Sequence, residues 1–213
     1  MRQPNPVRQK VVEVFLKAIE PIARLLVKLR IHPHVVTTAG LLISLIAANF
    51  YRLGLFILAG LFLALAGICD VLDGCLARES DKVSKYGALI DSTIDRYSEV
   101  FIFLGLVAYY RERSSYLVFV IILAIAGSMI VSYTRARAEG LGIQCKIGIM
   151  QRQERIVALV VGTFLAAIPH IGNYFMIFTI WFVAIMTNIT VIQRIIYVRK
   201  ELKGLNNGLA SNS

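Results

Sequence analysis

The sequence from Cys69 to Arg96 reads CDVLDGCLARESDKVSKYGALIDSTIDR, and four of its five aspartates, all but Asp81, lie beside or within apolar runs. Asp70 and Asp73 are three residues apart. Asp91 and Asp95 are four residues apart. On a helix, either spacing places the two side chains on one face. A short turn would join the two helices, so the sequence predicts that all four carboxylates converge at one end of a helix pair.

The chain around this stretch is strongly apolar. Of its 213 residues, 57% are hydrophobic and 17% are charged, and the mean hydropathy is +0.69. A soluble domain has about 45–50% apolar and about 25% charged residues. We therefore expect an all-α integral membrane protein whose length suits one compact domain. We expect the net charge of +10 to interact with the lipids of a membrane surface, and we expect no nucleic-acid partner.

Apolar segments of about 20 residues, the length that crosses a bilayer, predict six transmembrane helices. A basic amphipathic helix from Val7 to Leu29 is predicted before them and would lie in the membrane interface. The predicted organisation is an interfacial helix at residues 1–32, a six-helix transmembrane domain at 33–200 and a short cytoplasmic tail at 201–213. The six spans are expected at Val35–Leu53, Leu55–Leu76, Tyr86–Tyr110, Tyr116–Ala138, Arg155–Pro169 and Ile171–Tyr197.

The distribution of lysine and arginine predicts the orientation of this bundle, because cytoplasmic loops carry an excess of both. With a cytoplasmic N-terminus, only Arg52, Arg111 and Arg113 fall on the outer side, and the other 20 of the 23 positive residues fall on the inner side. We therefore expect a multi-pass protein with both termini and the aspartate stretch in the cytoplasm.

The four aspartates need partners, because carboxylates in a low-dielectric region repel each other. Nearby lysines and arginines are one possible set of partners. Divalent cations are the better interpretation, since ionisable residues inside a membrane usually mark a functional site. Oxygen ligands favour Mg²⁺ or Mn²⁺, and two ions bridged by shared carboxylates suit a phosphoryl-type displacement. Gly74 would let a diphosphate approach, and Arg78 would meet its oxygens.

The string Asp70-x2-Asp73-Gly74-x2-Ala77-Arg78-x8-Gly87-x3-Asp91-x3-Asp95 resembles the full signature of the CDP-alcohol phosphotransferases. The six predicted spans agree with that family over nearly the whole chain. The resemblance implies a homodimer in which a polar cytoplasmic cavity holds two divalent ions per active site. It also implies a reaction in which an acceptor hydroxyl attacks the β-phosphorus of a CDP-linked donor and releases CMP.

The resemblance also implies roles for single residues. Asp70, Asp73 and Asp91 would be metal ligands. Asp95 would be both a ligand and the general base that takes the hydroxyl proton. The segment Pro33-His34-Val35-Val36-Thr37 is similar to the Pro-Asn-x-(Val/Ile/Leu)-Thr of many relatives, with His34 in place of the usual asparagine. The residues expected to bind the CDP-lipid are Pro33, His34, Val36, Thr37, Gly74, Ala77, Arg78 and Ser84.

A second cluster, SYTRARAEGLGIQCKIGIMQRQER at residues 132–155, bears on the acceptor. Its arginines could rim the same cavity, and arginine forks match phosphate oxygens, so an anionic acceptor is expected. The sequence motifs SYxRARAEGLG and RxER resemble those of the prokaryotic phosphatidylinositol-phosphate synthases and their archaeal-lipid counterparts. These join CDP-diacylglycerol or CDP-archaeol to inositol 1-phosphate in the plasma membrane. The resemblance implies that the acceptor phosphate is held by Arg135, Arg152, Arg155 and Arg194.

Two alternative functions stay open at this point. A phosphatidylglycerophosphate synthase would use glycerol 3-phosphate, which is also a phosphate monoester, and the basic cluster fits both acceptors. A divalent-cation transporter would hold its carboxylates near the bilayer midplane on broken helices, whereas the aspartates are predicted at cytoplasmic helix ends. The sequence is compatible with diacylglycerol-based and with ether-based lipids.

Overall fold

The computed structural model describes residues 19–79 and 84–210, with side chains described as far as residue 204. These residues form seven α-helices and no β-strand. The predicted all-α class is therefore confirmed for the described part of the chain. The helices are α1 (residues 19–28), α2 (Pro33–Leu53), α3 (Phe56–Glu79), α4 (Lys85–Tyr110), α5 (Ser115–Gly140), α6 (Arg152–Ala166) and α7 (Gly172–Ala210).

Only the end of the predicted interfacial helix falls within the described residues. Helix α1 buries Ile19 and Ala23 and exposes Leu25, as expected for an amphipathic helix. The chain then turns at Arg30, which has a positive φ of 55°, and α2 begins at Pro33, whose fixed φ suits the first turn of a helix. Residues 1–18, which include the predicted start at Val7, lie outside the described part.

Four helices are long and apolar enough to cross a membrane: α2, α3, α5 and the Gly172–Gly204 part of α7. Helix α4 has sufficient length, with 26 residues, but Asp95, Arg96 and Glu99 interrupt its apolar sequence. Helix α6 has 15 residues and rises about 22 Å at 1.5 Å per residue, less than the roughly 30 Å hydrocarbon core. The structure thus fits a membrane protein, and the count of six spans stays a prediction.

The helix boundaries differ most from the prediction at the two ends of the last helix pair. Helix α6 begins at Arg152, three residues before the predicted start of the fifth span at Arg155. It ends at Ala166, and Pro169 prevents its extension. Helix α7 continues through Ala210, into the segment predicted as a tail.

The chain divides into two compact units. The first contains the described residues up to Leu45 together with Leu65–Glu99, and therefore the whole aspartate stretch as far as it is described. Its core consists of apolar side chains from α1, α2 and α3, namely Ile19, Ala23, Val36, Leu72 and Leu76. This core packs α1 and α2 against the end of α3 that carries Asp70 and Asp73.

The second unit contains Ile46–Ala64 and the chain from Val100 onward. Its helices approach closely where one of them has a glycine. A Cβ atom at Gly127 of α5 would lie 2.6 Å from Thr187 Oγ1 of α7. A Cβ at Gly162 of α6 would likewise clash with Thr179 Oγ1 of α7. Small residues are what allow membrane helices to pack at such distances, so α7 is the helix against which α5 and α6 pack.

Candidate active site

Three of the four aspartates form one cluster in the first unit. Asp70 lies on α3, and Asp91 and Asp95 lie one turn apart on α4. Each offers a carboxylate oxygen, and the three oxygen atoms lie within 4.8 Å of one another. All three side chains are partly exposed. The predicted convergence of the two helix faces is therefore confirmed for these three carboxylates, in an arrangement that could hold a metal ion.

The fourth aspartate, Asp73, lies deeper. It is 5% exposed, and its Oδ2 atom is buried without a hydrogen-bond donor among the described residues. Such a buried acceptor without a donor costs about 1–3 kcal/mol, and more if it is charged. The orphaned oxygen of Asp73 and the neighbouring carboxylates could together hold a divalent cation. The donor set, oxygen atoms alone, fits Mg²⁺ or Mn²⁺.

A cavity of about 330 Å³ adjoins these carboxylates and has Asp73 and Asp91 in its wall. Seven of the eight residues predicted to bind the CDP-lipid line it: Pro33, His34, Thr37, Gly74, Ala77, Arg78 and Ser84. The eighth, Val36, is buried in the apolar core of the unit, because the turn of α2 directs it away from the cavity. His32, Gly87 and Ala88 also line the cavity; Gly87 is a fixed position of the signature, whereas no binding role was predicted for His32 and Ala88. Each of these two residues is adjacent in sequence to a residue of one of the motifs, and this adjacency could have indicated that it lines the cavity.

The start of α4 shapes one wall of this cavity. Ser84 Oγ accepts a hydrogen bond of 2.9 Å from the backbone N–H of Gly87, which caps the first turn of the helix. A Cβ at Gly87 would lie 2.9 Å from that Oγ and 3.6 Å from the ring of His34. His34 and His32 stand with their ring centroids 4.8 Å apart. A side chain at position 87 would therefore crowd the capping hydroxyl of Ser84, whereas the ring of His34 stands at ordinary contact distance.

The side chain of Arg78 lies over the end of α3. Its Nη2 is 3.3 Å from Cys75 Sγ, and a Cβ at Gly74 would be 3.7 Å from its Nη1. The guanidinium thus stands above a residue without a side chain, in the wall of the cavity. This geometry fits a bulky anion that approaches the backbone at Gly74 and the charge of Arg78 together.

The four predicted acceptor arginines lie in the second unit, in different environments. Arg155 is fully buried and donates a hydrogen bond of 3.1 Å to the carbonyl of Met150. Arg194 is 2% exposed; its Nε donates to the carbonyl of Ile147 at 2.9 Å, and its Nη1 donates to the carbonyl of Val131. Arg152 is partly buried, and Arg135 is exposed.

An ion pair holds the exposed Arg135. Its Nε lies 2.9 Å from Glu139 Oε1, one turn further along α5. The spacing of four residues explains this ion pair, because side chains at i and i+4 lie on the same face of a helix.

Helix α7 fixes the loop between α5 and α6. The N–H of Met150 donates to Thr190 Oγ1 at 3.0 Å, and the N–H of Ile149 donates to Gln193 Oε1 at 3.3 Å. Gly148 has a φ of 135°, and a Cβ there would lie 2.5 Å from Thr190 Cγ2. Together with Arg194, these side chains hold a loop whose last residues lead directly into α6. Neither Thr190 nor Gln193 was predicted to have this role.

Comparison with known proteins agrees with the acidic helix pair and its cavity. The family model described as CDP-alcohol phosphatidyltransferase matches residues 30–192. The archaetidylinositol phosphate synthase of Pyrococcus horikoshii is 40% identical over 186 residues, which cover 87% of this chain and 93% of the relative. The synthase of the same name from Methanothermobacter thermautotrophicus is 36% identical over 190 residues, which cover 89% and 93%.

A solved structure shows the same fold. The crystal structure of Mycobacterium tuberculosis phosphatidylinositol phosphate synthase with CDP-DAG bound has a TM-score of 0.78 and 29% identity, and it covers 85% of this chain and 94% of that chain. The same enzyme has also been crystallised in complex with manganese and citrate, with a TM-score of 0.78. The fold and the acidic cavity thus define a membrane transferase. This chain belongs to the CDP-alcohol phosphatidyltransferase family.

Proposed function

We propose that this enzyme transfers the phosphatidyl-type group of CDP-diacylglycerol or CDP-archaeol to a hydroxyl of inositol 1-phosphate. The products are CMP and phosphatidylinositol phosphate or its archaeal counterpart. The observation that carries the proposal is the three-carboxylate cluster beside a cavity in a chain 40% identical to an archaetidylinositol phosphate synthase. The relative crystallised with CDP-DAG supports the CDP-lipid as donor.

The donor's diphosphate would lie in the cavity of about 330 Å³. Gly74 has no side chain to obstruct it, and Arg78 offers N–H groups to phosphate oxygens. Pro33, His34 and Thr37 would contact the nucleotide from the first turns of α2. The volume lies in the range of small-molecule sites, about 300–1,000 Å³, and suits the polar end of a CDP-lipid, with the chains in the bilayer.

Two Mg²⁺ or Mn²⁺ ions would be held by Asp70, Asp73, Asp91 and Asp95. The orphaned Oδ2 of Asp73 and the relative solved with manganese support this assignment. When bound, such ions stabilise the charge of the diphosphate and of the departing CMP.

Asp95 would act as the general base in the transfer step. Its carboxylate takes the proton of the acceptor hydroxyl, the hydroxyl oxygen forms a bond to the β-phosphorus, and the bond from that phosphorus to the bridging oxygen breaks, so that CMP leaves. Arg96 Nη1, which lies 3.5 Å from Asp95 Oδ2 and donates to the carbonyl of Ser92 at 2.9 Å, places a fixed positive charge beside the carboxylate.

The phosphate of inositol 1-phosphate would be held by Arg135, Arg152, Arg155 and Arg194. A guanidinium has five N–H donors, so Arg194 can bond to two carbonyls and still offer donors to a phosphate. Arg135 would have to leave Glu139 or bind phosphate while paired with it. The fixed loop between α5 and α6 supports the assignment, because it holds the start of α6, and with it Arg152 and Arg155, in one place.

The proposed enzyme crosses a prokaryotic cell membrane six times, with α4 and α6 completing the spans of α2, α3, α5 and α7. Residues 1–32 would form an interfacial helix, 33–200 the catalytic transmembrane domain and 201–213 a cytoplasmic tail. The excess of lysine and arginine on one side supports cytoplasmic termini and a cytoplasmic active site. The functional unit would be a homodimer, as the family resemblance implies.

A membrane assay of CMP release tests the proposal. Membranes that contain the enzyme are supplied with Mn²⁺, with CDP-diacylglycerol or CDP-archaeol, and with inositol 1-phosphate, free inositol, glycerol 3-phosphate or serine. We expect CMP with inositol 1-phosphate, and none from membranes that carry Asp70→Asn. CMP release with glycerol 3-phosphate alone would contradict inositol 1-phosphate as the acceptor and would still support the family reaction. No CMP with any acceptor, together with metal flux in liposomes, would favour a divalent-cation transporter.

A further inference from the structure

A second cavity, of about 380 Å³, lies between the C-terminal parts of α5 and α7 in the second unit. We call it the α5–α7 groove. Four cationic side chains line it: Arg137 from α5, and Arg194, Arg199 and Lys203 from α7. Apart from Arg194, none of its lining residues belongs to the proposed donor and acceptor sites. The groove is therefore a separate feature that the transfer reaction does not explain.

The charge of this groove is of one sign. Among the described residues, no acidic side chain lines it, and none of its three exposed cations, Arg137, Arg199 and Lys203, forms an ion pair with a described acid. By contrast, the neighbouring Arg135 is paired with Glu139. Three like charges that share one groove favour an anion, because each of them raises the local positive potential.

The rest of the groove wall is apolar. Ile195, Val198 and Leu202 follow one another at helical spacing along α7, on the face that also carries Arg199 and Lys203. Tyr133 and Leu141 line the groove from α5 and are 67% and 46% exposed. A site that joins a cationic end to an apolar wall matches an amphiphile better than it matches a small inorganic anion.

The depth of the groove in the membrane follows from helix lengths. About 20 helical residues cross the hydrocarbon core. Counted from the start of α7 at Gly172, the crossing ends near Ile192; counted from the start of α5 at Ser115, it ends near Arg135. Both estimates place the groove at the level of the lipid headgroups, where tyrosine is also enriched.

We propose that the α5–α7 groove binds one anionic phospholipid of the surrounding bilayer. Its phosphate lies among Arg137, Arg199 and Lys203, and its glycerol and upper acyl chain lie against Ile195 and Val198. Basic pockets between membrane helices at the headgroup level are suited to such headgroups. The bound lipid is a resident component of the membrane, and the proposal does not depend on which acceptor the enzyme uses.

Native mass spectrometry of the detergent-solubilised full chain tests this proposal. Phosphatidylglycerol and phosphatidylcholine with the same acyl chains are titrated separately. We expect the first bound phosphatidylglycerol to be retained more tightly than phosphatidylcholine. In the double variant Arg137→Gln/Arg199→Gln, the affinity for phosphatidylglycerol should fall by about 30-fold, and the affinity for phosphatidylcholine should not change. The matched control, Arg52→Gln/Arg111→Gln, removes the same charge elsewhere and should bind like the unchanged protein.

A cross-linking measurement on the unchanged protein keeps the test independent of the folding of the variants. Phosphatidylglycerol with a photoreactive headgroup should label peptides that contain Arg137 or Arg199. Equal retention of both lipids, labelling only elsewhere, or an equal loss in the control variant would overturn the proposal. Release of the lipid by millimolar inorganic phosphate would indicate a free-anion site. A double variant that changes the oligomeric state and keeps the lipid would indicate an interface between copies of the chain. Either result would also overturn the proposal.

Discussion

The aspartates of the first unit and the arginines of the second unit are both charged groups at helix ends, but their surroundings differ. Asp73 buries an oxygen atom that has no donor among the described residues. Arg155 and Arg194 are also buried, but they donate to backbone carbonyls of the chain itself. The acidic region therefore has a buried acceptor atom that a bound cation could satisfy, whereas these two arginines already stabilise the fold. Substitutions should separate activity from stability in the first region and lower both in the second.

The largest effect is expected from Asp95→Asn. An amide cannot take the proton of the acceptor hydroxyl, and a general base contributes about 10²–10⁴-fold to a rate, so CMP release should fall by about 10²–10⁴-fold. Binding of the CDP-lipid should stay within a few-fold of the original value, as measured by equilibrium binding in detergent. Glu112→Gln, which makes the same carboxylate-to-amide change at an exposed residue, is the control and should leave CMP release unchanged. Unchanged CMP release from Asp95→Asn would remove this residue as the base.

Arg194→Ala tests whether the buried arginines of the second unit stabilise the fold. The change leaves the carbonyls of Ile147 and Val131 without their charged donor, and we expect the free energy of unfolding to fall by about 3 kcal/mol. Arg194→Lys should recover part of that loss, because a lysine supplies a charge but not a planar fork. Thermal unfolding in detergent measures both variants. The control is Lys200→Ala, on the exposed surface of the same helix, where about 0.5 kcal/mol or less is expected. A Tm for Arg194→Ala equal to that of the control would show that the carbonyl bonds do not stabilise the loop.

Arg152→Ala tests whether the basic region also serves the acceptor. Charge-assisted hydrogen bonds contribute about 1.5–3 kcal/mol, so the KM for inositol 1-phosphate should rise by about tenfold or more. The KM for the CDP-lipid should change much less. Steady-state kinetics with each substrate varied in turn separates the two effects. Equal increases in both KM values would contradict the assignment of Arg152 to the acceptor.

The smallest effect is expected from Asp73→Asn on stability. Removing a buried charge that faces Asp91 across the cavity wall relieves repulsion, so the metal-free variant should be more stable than the original protein by about 1 kcal/mol. Mn²⁺ should raise the Tm of the original protein and should raise that of the variant less. A variant that loses stability in the absence of metal would show that the hydrogen bonds of this carboxylate with Thr37 and Gly74 outweigh the repulsion.

The sequence predicted the helices and the acidic motif well because both depend on short-range spacing. Asp91 and Asp95 share a face through a spacing of four residues, and the α3–α4 connection is short. The roles of the arginines could not be predicted in the same way. Arg194 bonds to carbonyls 47 and 63 residues away, and nothing in local periodicity indicates which backbone carbonyl needs a donor.

The residues of the cavity wall also show how far local sequence spacing can predict the site. The motif indicated Gly74 and Arg78 correctly as lining residues, since they are one turn apart on the helix that carries Asp70. Val36 was predicted to bind the CDP-lipid because it lies in the Pro33–Thr37 segment, but the rotation of α2 places its side chain in the core. His32 lines the cavity because of the backbone turn before α2, which a sequence pattern does not define.

The contact between Gly127 and Thr187 has a consequence for how this family can diverge. The space for a side chain at position 127 is filled by the threonine of the facing helix, at 2.6 Å from where a Cβ would stand. The two positions must therefore change together: a homologue with alanine at 127 should carry a smaller residue at 187, or its helices should stand further apart. Substitutions accumulated at this interface would then be correlated in pairs, and the order of the two changes would be constrained, with the reduction at position 187 preceding the enlargement at position 127.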